Sequence, residues 1–173
     1  MEAKTFAAFL VDSLGQIKGK KAFQKFVYLA KAHGISINHA YKMHYYGPYS
    51  ETLAEEFDDI YREDVVDLKK QNDYIYVKGS KTKEALTQGQ EEIKDHQAPL
   101  ELLLQRFGHM TPRELEIYST THFVWRIQLI FKRPTDRNTI IEETKKAKFP
   151  KFNIHEIERA YDDLVEWGLI NSK

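Results

Sequence analysis

Phe6, Phe9, Leu10 and Leu14 recur three and four positions apart, the spacing of one helix face, and Gly15 closes the pattern. The spacing predicts a first helix over 3–14. A second is predicted over 20–33, with Phe23, Phe26, Val27 and Ala30 inward and Gly34 where a left-handed C-terminal cap belongs. Residues 41–46 alternate and are rich in aromatics, which suits a short strand. Pro48 cannot donate to a sheet ladder, so the strand should end there. Ser50 offers an N-cap and Glu51 opposes the dipole of a third helix, striped by Leu53, Phe57, Ile60 and Tyr61. Two alternating runs, 65–70 and 74–78, flank Gln71-Asn72-Asp73 and predict a β-hairpin. Three helices followed by a hairpin is the order of a winged-helix unit, with helix-turn-helix character around the tyrosine-rich turn.

Beyond Gly79-Ser80, the best candidate boundary, the pattern is helical throughout. Residues 82–94 are polar, with Gly89 as a weak point, and 99–107 form a short Leu-rich helix. Thr111-Pro112-Arg113-Glu114 joins a capping box to proline at the first helical position. The helix it opens, to about Phe131, carries Leu115, Tyr118, Trp125 and Leu129 on one face and Ile117, Val124 and Phe131 on another. Two apolar faces predict the centre of a bundle. A helix over 136–148 precedes Pro150. Asn153-Ile154-His155-Glu156 caps the last helix, whose stripe is Ile157, Tyr161, Leu164 and Val165 before Gly168. The expected fold is α+β and mainly α: a winged-helix-like unit over 1–79, packed as one body with a helical unit over 80–173.

Composition narrows the function. An apolar share of 42% and an aromatic share of 13% in 173 residues support a real core. The 26 basic and 26 acidic side chains balance, and they balance on either side of Gly79 too, so neither half is a basic nucleic-acid module. The absence of cysteine removes disulfides, thiolate zinc sites and a cysteine nucleophile. No apolar run reaches spanning length and no signal-peptide core opens the chain, so a cytoplasmic protein without a membrane partner is expected.

Gly19-Lys20-Lys21-Ala22-Phe23-Gln24-Lys25-Phe26-Val27-Tyr28 is followed by His44-Tyr45-Tyr46-Gly47-Pro48-Tyr49-Ser50-Glu51-Thr52-Leu53. This pairing of a Gln-Lys-x-x-Tyr helix with a Tyr-Gly-Pro turn resembles the YwgA-type family of bacterial proteins. It is similar, more distantly, to the Panacea antitoxin domain. The resemblance covers about Gly19 to Val66 and extends more loosely to 115–122 and 154–170. It implies a mainly helical intracellular protein and, for the Panacea group, an antitoxin that neutralises a protein toxin. The chain departs from the Panacea pattern after Gly-Pro, where Tyr49 stands in place of an aliphatic residue.

No catalytic signature accompanies these features. His33, His39 and His44 match no ligand spacing, and His122, one turn from Tyr118 and Trp125, reads as a hydrogen-bonded core histidine. Glu55, Glu56, Asp58 and Asp59 read as a solvated helix face rather than a cation site. The scattered glycines form no phosphate loop and there is no nucleophile elbow. Neither enzymatic activity nor a cofactor or metal is expected. Duplex recognition is disfavoured because the third helix carries Glu51, Glu55, Glu56, Asp58 and Asp59 against Arg62 alone. Lys18, Lys20, Lys21 and Lys25, with wing lysines Lys69, Lys70 and Lys78, could touch phosphate in a transcription-regulator-like alternative. Arg126, Lys132, Arg133 and Arg137, then Lys145, Lys146, Lys148 and Lys151, form a basic stretch that could serve nucleic acid or an acidic protein, but acids alternate nearby and solvation is the leading account. A protein-binding module is the leading expectation, with Lys20, Lys21, Lys25, Tyr28, His44, Tyr45, Tyr46 and Tyr49 as the partner surface. Tyr41 joins the same cluster, and the competing reading completes the core with about half of these tyrosines.

Overall fold

The computed structural model describes residues 1–69 and 72–171. Among them the N-terminal elements are α1 (Ala3–Leu14), α2 (Lys20–Ala32), β1 (Lys42–His44), β2 (Gly47–Tyr49), α3 (Glu51–Arg62), β3 (Val66–Lys69) and β4 (Asn72–Lys78). Six helices follow: α4 (Thr82–Gln88), α5 (Gln90–Asp95), α6 (Gln97–Phe107), α7 (Pro112–Ile130), α8 (Arg137–Lys148) and α9 (Ile154–Glu166). The fold is α+β and mainly α, with two small antiparallel hairpins. Lys70, one of the expected wing lysines, lies outside the described residues, as do Gln71, Ser172 and Lys173.

Local chemistry sets most boundaries. Ser50 caps α3 by accepting from Leu53 N–H at 3.3 Å. Capping boxes close at Thr111–Glu114 and Asn153–Glu156, satisfying amide groups that have no partner inside the helix. Gly34 sits at φ +84°, as a left-handed cap requires. Gly89 divides the polar stretch into α4 and α5. A Cβ there would lie 2.2 Å from Thr5 Cγ2, so its bare backbone lets the chain press onto α1.

Two readings change. The predicted single inner face of α2 is in fact burial on every side: each residue from Ala22 to Ala30 is buried, including Gln24 and Lys25. Gln24 exchanges two hydrogen bonds with the Ser50 backbone, at 2.7 and 3.0 Å, which a solvated side chain would not hold. Pro48 does not end the first strand region either. It lies inside β2, opposite Met43, with His44 opposite Gly47 closing the turn. That alternation places Met43 and Pro48 at a pair without ladder bonds, so the missing N–H costs nothing. A two-stranded ribbon therefore separates α2 from α3.

The second hairpin pairs Val66 with Lys78 and Leu68 with Tyr76. Ile17 joins β4 by exchanging bonds with Tyr76 at 2.8 and 2.9 Å. Phe6, Phe23, Phe57 and Tyr76 then meet ring to ring, tilted or edge-on, across α1, α2, α3 and β4. Packing continues past Gly79, since α1 rests on α4, and α2 rests on α6 and α7. Buried side chains from both halves form one cluster. α7 is its centre, buried without interruption from Leu115 to Trp125 and packed on α2, α8, α9 and β2. Leu129 and Phe131, expected on its inner faces, are instead 52% and 62% exposed.

Candidate functional site

The eight residues singled out from the sequence gather around the β1–β2 ribbon but occupy different depths. Lys25 and Tyr28 are buried on α2, each 2% exposed, and lie beneath the ribbon rather than on it. The Lys25 Nζ donates to the Pro48 carbonyl at 2.5 Å. Burial outweighs the attraction of Glu116 and lowers its pKa to about 7, with Lys148, Lys151 and Lys21 pushing the same way. The Tyr28 hydroxyl and His122 Nδ1 share a hydrogen bond at 2.8 Å, and the Tyr28 ring meets Tyr41 edge-on. Burial, with a contribution from Arg126, lowers the His122 pKa to about 4, against an opposing pull from the Leu169 backbone. The ring is thus neutral near pH 7, a buried hydrogen-bonded histidine as its spacing predicted.

Lys20, Lys21, His44, Tyr45, Tyr46 and Tyr49 lie above this layer. Lys20 is paired with Asp58 on α3. Lys21 holds its ammonium 3.1 Å from the Tyr46 ring centroid. Tyr45 meets Tyr46 edge-on at 4.9 Å, and His44 lies 5.2 Å from Tyr49. Tyr45 is 73% exposed, whereas Tyr46 and Tyr49 are half-buried.

What fixes the ribbon comes from residues the sequence reading assigned to solvent. Lys148, at the end of α8, is buried; its Nζ donates to the His44 carbonyl at 3.2 Å, to the Tyr45 carbonyl and to Glu116 Oε1 at 3.1 Å. Lys151 Nζ reaches Glu116 Oε2 at 2.6 Å and lies 4.8 Å from the Tyr46 ring centroid. Glu116 is itself buried on α7. Desolvation lowers the Lys148 pKa against the pull of Glu116. One carboxylate therefore faces Lys25, Lys148 and Lys151, and ammonium groups hold three ribbon carbonyls from below. Gly47 completes the seat: at φ +85°, a Cβ would meet Thr120 Oγ1 at 2.6 Å. Lys148 was legible in one respect, because Ile140, Thr144 and Lys148 follow at fourth positions along the inner stripe of α8.

On the outer side, a groove of about 480 Å³ runs between Tyr45 and Tyr46 and residues 147–151. Phe149, 76% exposed, is part of its lining. Among the described residues no cluster of His, Cys, Asp and Glu could hold a metal. No described helix is long and apolar enough to cross a membrane.

Acids on the face of α3 have close basic partners. Lys42 pairs with Glu51, His39 with Glu56, Lys20 with Asp58 and Arg62 with Asp59. Of those partners only Arg62 lies on the helix itself; Lys20, His39 and Lys42 come from other segments.

No family model matches the chain, and no solved structure matches it. Among curated proteins it is similar to the uncharacterised protein YwgA of Bacillus subtilis, at 39% identity over 46 residues. That match spans 27% of this chain and 28% of YwgA's length, so the likeness is YwgA-like in one segment.

Proposed function

We propose that the chain is a non-catalytic protein-binding module whose partner presents an acidic segment to the ribbon groove. One observation carries the reading: Tyr45 and Phe149, 73% and 76% exposed, line one groove together with Lys148 and Lys151. Large exposed aromatics are costly to leave in water and are the residue type that dominates binding energy at interfaces. The ammonium groups of Lys21 and Lys151 on the Tyr46 ring add positive potential at the same edge, which favours carboxylates. The ribbon is anchored by three carbonyl contacts from below, so it is ordered before a partner arrives and binding loses less to ordering. Neutralisation of a protein toxin is the specific form suggested by the distant similarity to the Panacea antitoxin domain.

The experiment places a photo-crosslinking amino acid at position 45 and, as a control, at position 55 on α3. The reading expects a protein captured from 45 and not from 55, through an acidic stretch, with capture lost in Lys151→Glu. Tyr45→Ala and Phe149→Ala should keep the melting temperature and lose the partner, whereas Tyr28→Ala should lose stability by leaving a cavity. Equal capture at both positions, or capture unaffected by Lys151→Glu, refutes it. Relief of growth arrest on co-expression with the captured protein would test the antitoxin form.

A further inference from the structure

The final turn of α7 projects from the fold. Leu129, Ile130 and Phe131 are 52%, 58% and 62% exposed. Successive residues on a helix point about 100° apart, so three in a row sweep more than half its circumference. All three reach solvent only because this turn extends past the helices that bury Leu115 to Trp125. The projection is fixed rather than frayed: Phe131, Lys132 and Arg133 amides donate to Ile127, Leu129 and Gln128 carbonyls at 3.0, 3.1 and 2.9 Å.

Along the last turns of α7 and the turn after it the formal charges are all positive, up to Asp136, which caps α8. Residues 117–135 contain no Asp or Glu, and they carry Arg126, Lys132 and Arg133. None of these three is in an ion pair among the described residues, and Arg133 lies 5.4 Å from the Phe131 ring centroid. Lys132 adopts φ +53°, a conformation that favours glycine at a helix C-terminus. A lysine kept there at some conformational cost holds a cation beside the apolar tip.

We infer that Leu129, Ile130 and Phe131, ringed by Arg126, Lys132 and Arg133, form a peripheral docking tip for an anionic lipid surface. A protein partner fits this shape poorly, since one face cannot cover side chains that radiate from a convex end. A lipid interface is fluid and closes around such a tip on every side. Exposed apolar groups would enter the headgroup region while the long cationic side chains extend to the phosphates. This is contact without spanning, in keeping with the lack of a described helix long and apolar enough to cross a membrane.

The test uses the full chain and phosphatidylcholine vesicles with or without phosphatidylserine. Because the chain has no cysteine, Ile130→Cys accepts an environment-sensitive dye at one position, with Glu55→Cys as the control. The dye at 130 should shift to the blue only with anionic vesicles, and the dye at 55 should not shift. In co-sedimentation, removing one cation (Lys132→Gln) should weaken partitioning about fivefold. Combined Leu129→Ser, Ile130→Ser and Phe131→Ser should abolish it while the melting temperature holds, as these side chains are exposed. No shift at 130, shifts at both positions, or binding retained in the triple variant would overturn the inference. So would light scattering that shows a dimer lost in the triple variant, which would make the tip a protein interface.

Discussion

Lys25→Met removes the buried amine beneath the ribbon while keeping most of its volume. With a folded pKa of about 7 against 10.5 unfolded, the unfolded chain holds the proton more tightly. Between those values unfolding takes up a proton, so native stability rises with pH. The slope is about 1.4 kcal/mol per pH unit for one full proton, and the whole interval represents about 5 kcal/mol. Against that penalty stands the hydrogen bond to the Pro48 carbonyl, worth about 1.5 to 3 kcal/mol when the donor is charged. Glu116 keeps Lys148 and Lys151 as partners, so no carboxylate is orphaned. The variant should therefore be more stable at neutral pH by about 2 kcal/mol. The clearer readout is the slope. Denaturant unfolding at pH 7, 8 and 9 stays below tyrosine ionisation, and wild type should gain about 1 kcal/mol per unit relative to Lys25→Met. Lys148 shifts in the same direction and contributes to both chains alike. Parallel stability profiles for the two proteins would refute the reasoning.

Gly47→Ala must place a Cβ against Thr120 Oγ1 at φ +85°, and should destabilise by about 1 to 3 kcal/mol while weakening capture at position 45. Thermal melts and crosslinking yields check both effects. His122, with a folded pKa of about 4 against 6.5, is the acid-side counterpart. The unfolded chain gains the proton first as pH falls from about 6.5, so wild type should lose about 3 kcal/mol by pH 4, and His122→Leu should show a shallower decline. Duplex DNA should bind with a Kd of about 10⁻⁴ to 10⁻⁶ M at physiological salt; nanomolar sequence-specific binding in a titration would defeat the electrostatic argument from α3.

The features legible in the sequence are those fixed by near neighbours. Ser50, Thr111 with Glu114, and Asn153 with Glu156 announce helix starts because their partners lie three residues away. The β3–β4 hairpin was legible from two alternating runs. Lys25 and Gln24 were not legible as buried groups, because their partners, Pro48 and Ser50, lie 23 and 26 positions on. Pro48 in a strand misled because its tolerance depends on which pairs carry ladder bonds. Leu129 and Phe131 matched inner-face spacing, yet periodicity does not report where a helix outruns its neighbours. At the site, the sequence located the ribbon tyrosines but assigned Lys148 and Lys151 to solvent, because their acid, Glu116, is supplied by another helix.

α7 also sets a height. From Glu116 to Phe131 is fifteen residues, which at 1.5 Å per residue is about 22 Å of straight helix. A chain resting on its Phe131 end would raise the ribbon to roughly that elevation. The distance exceeds the Debye length of about 8 to 10 Å at ordinary ionic strength. Headgroup charge below and the lysine cluster above would then be screened from each other. The two ends of one rod could each meet an acidic surface without competing for it.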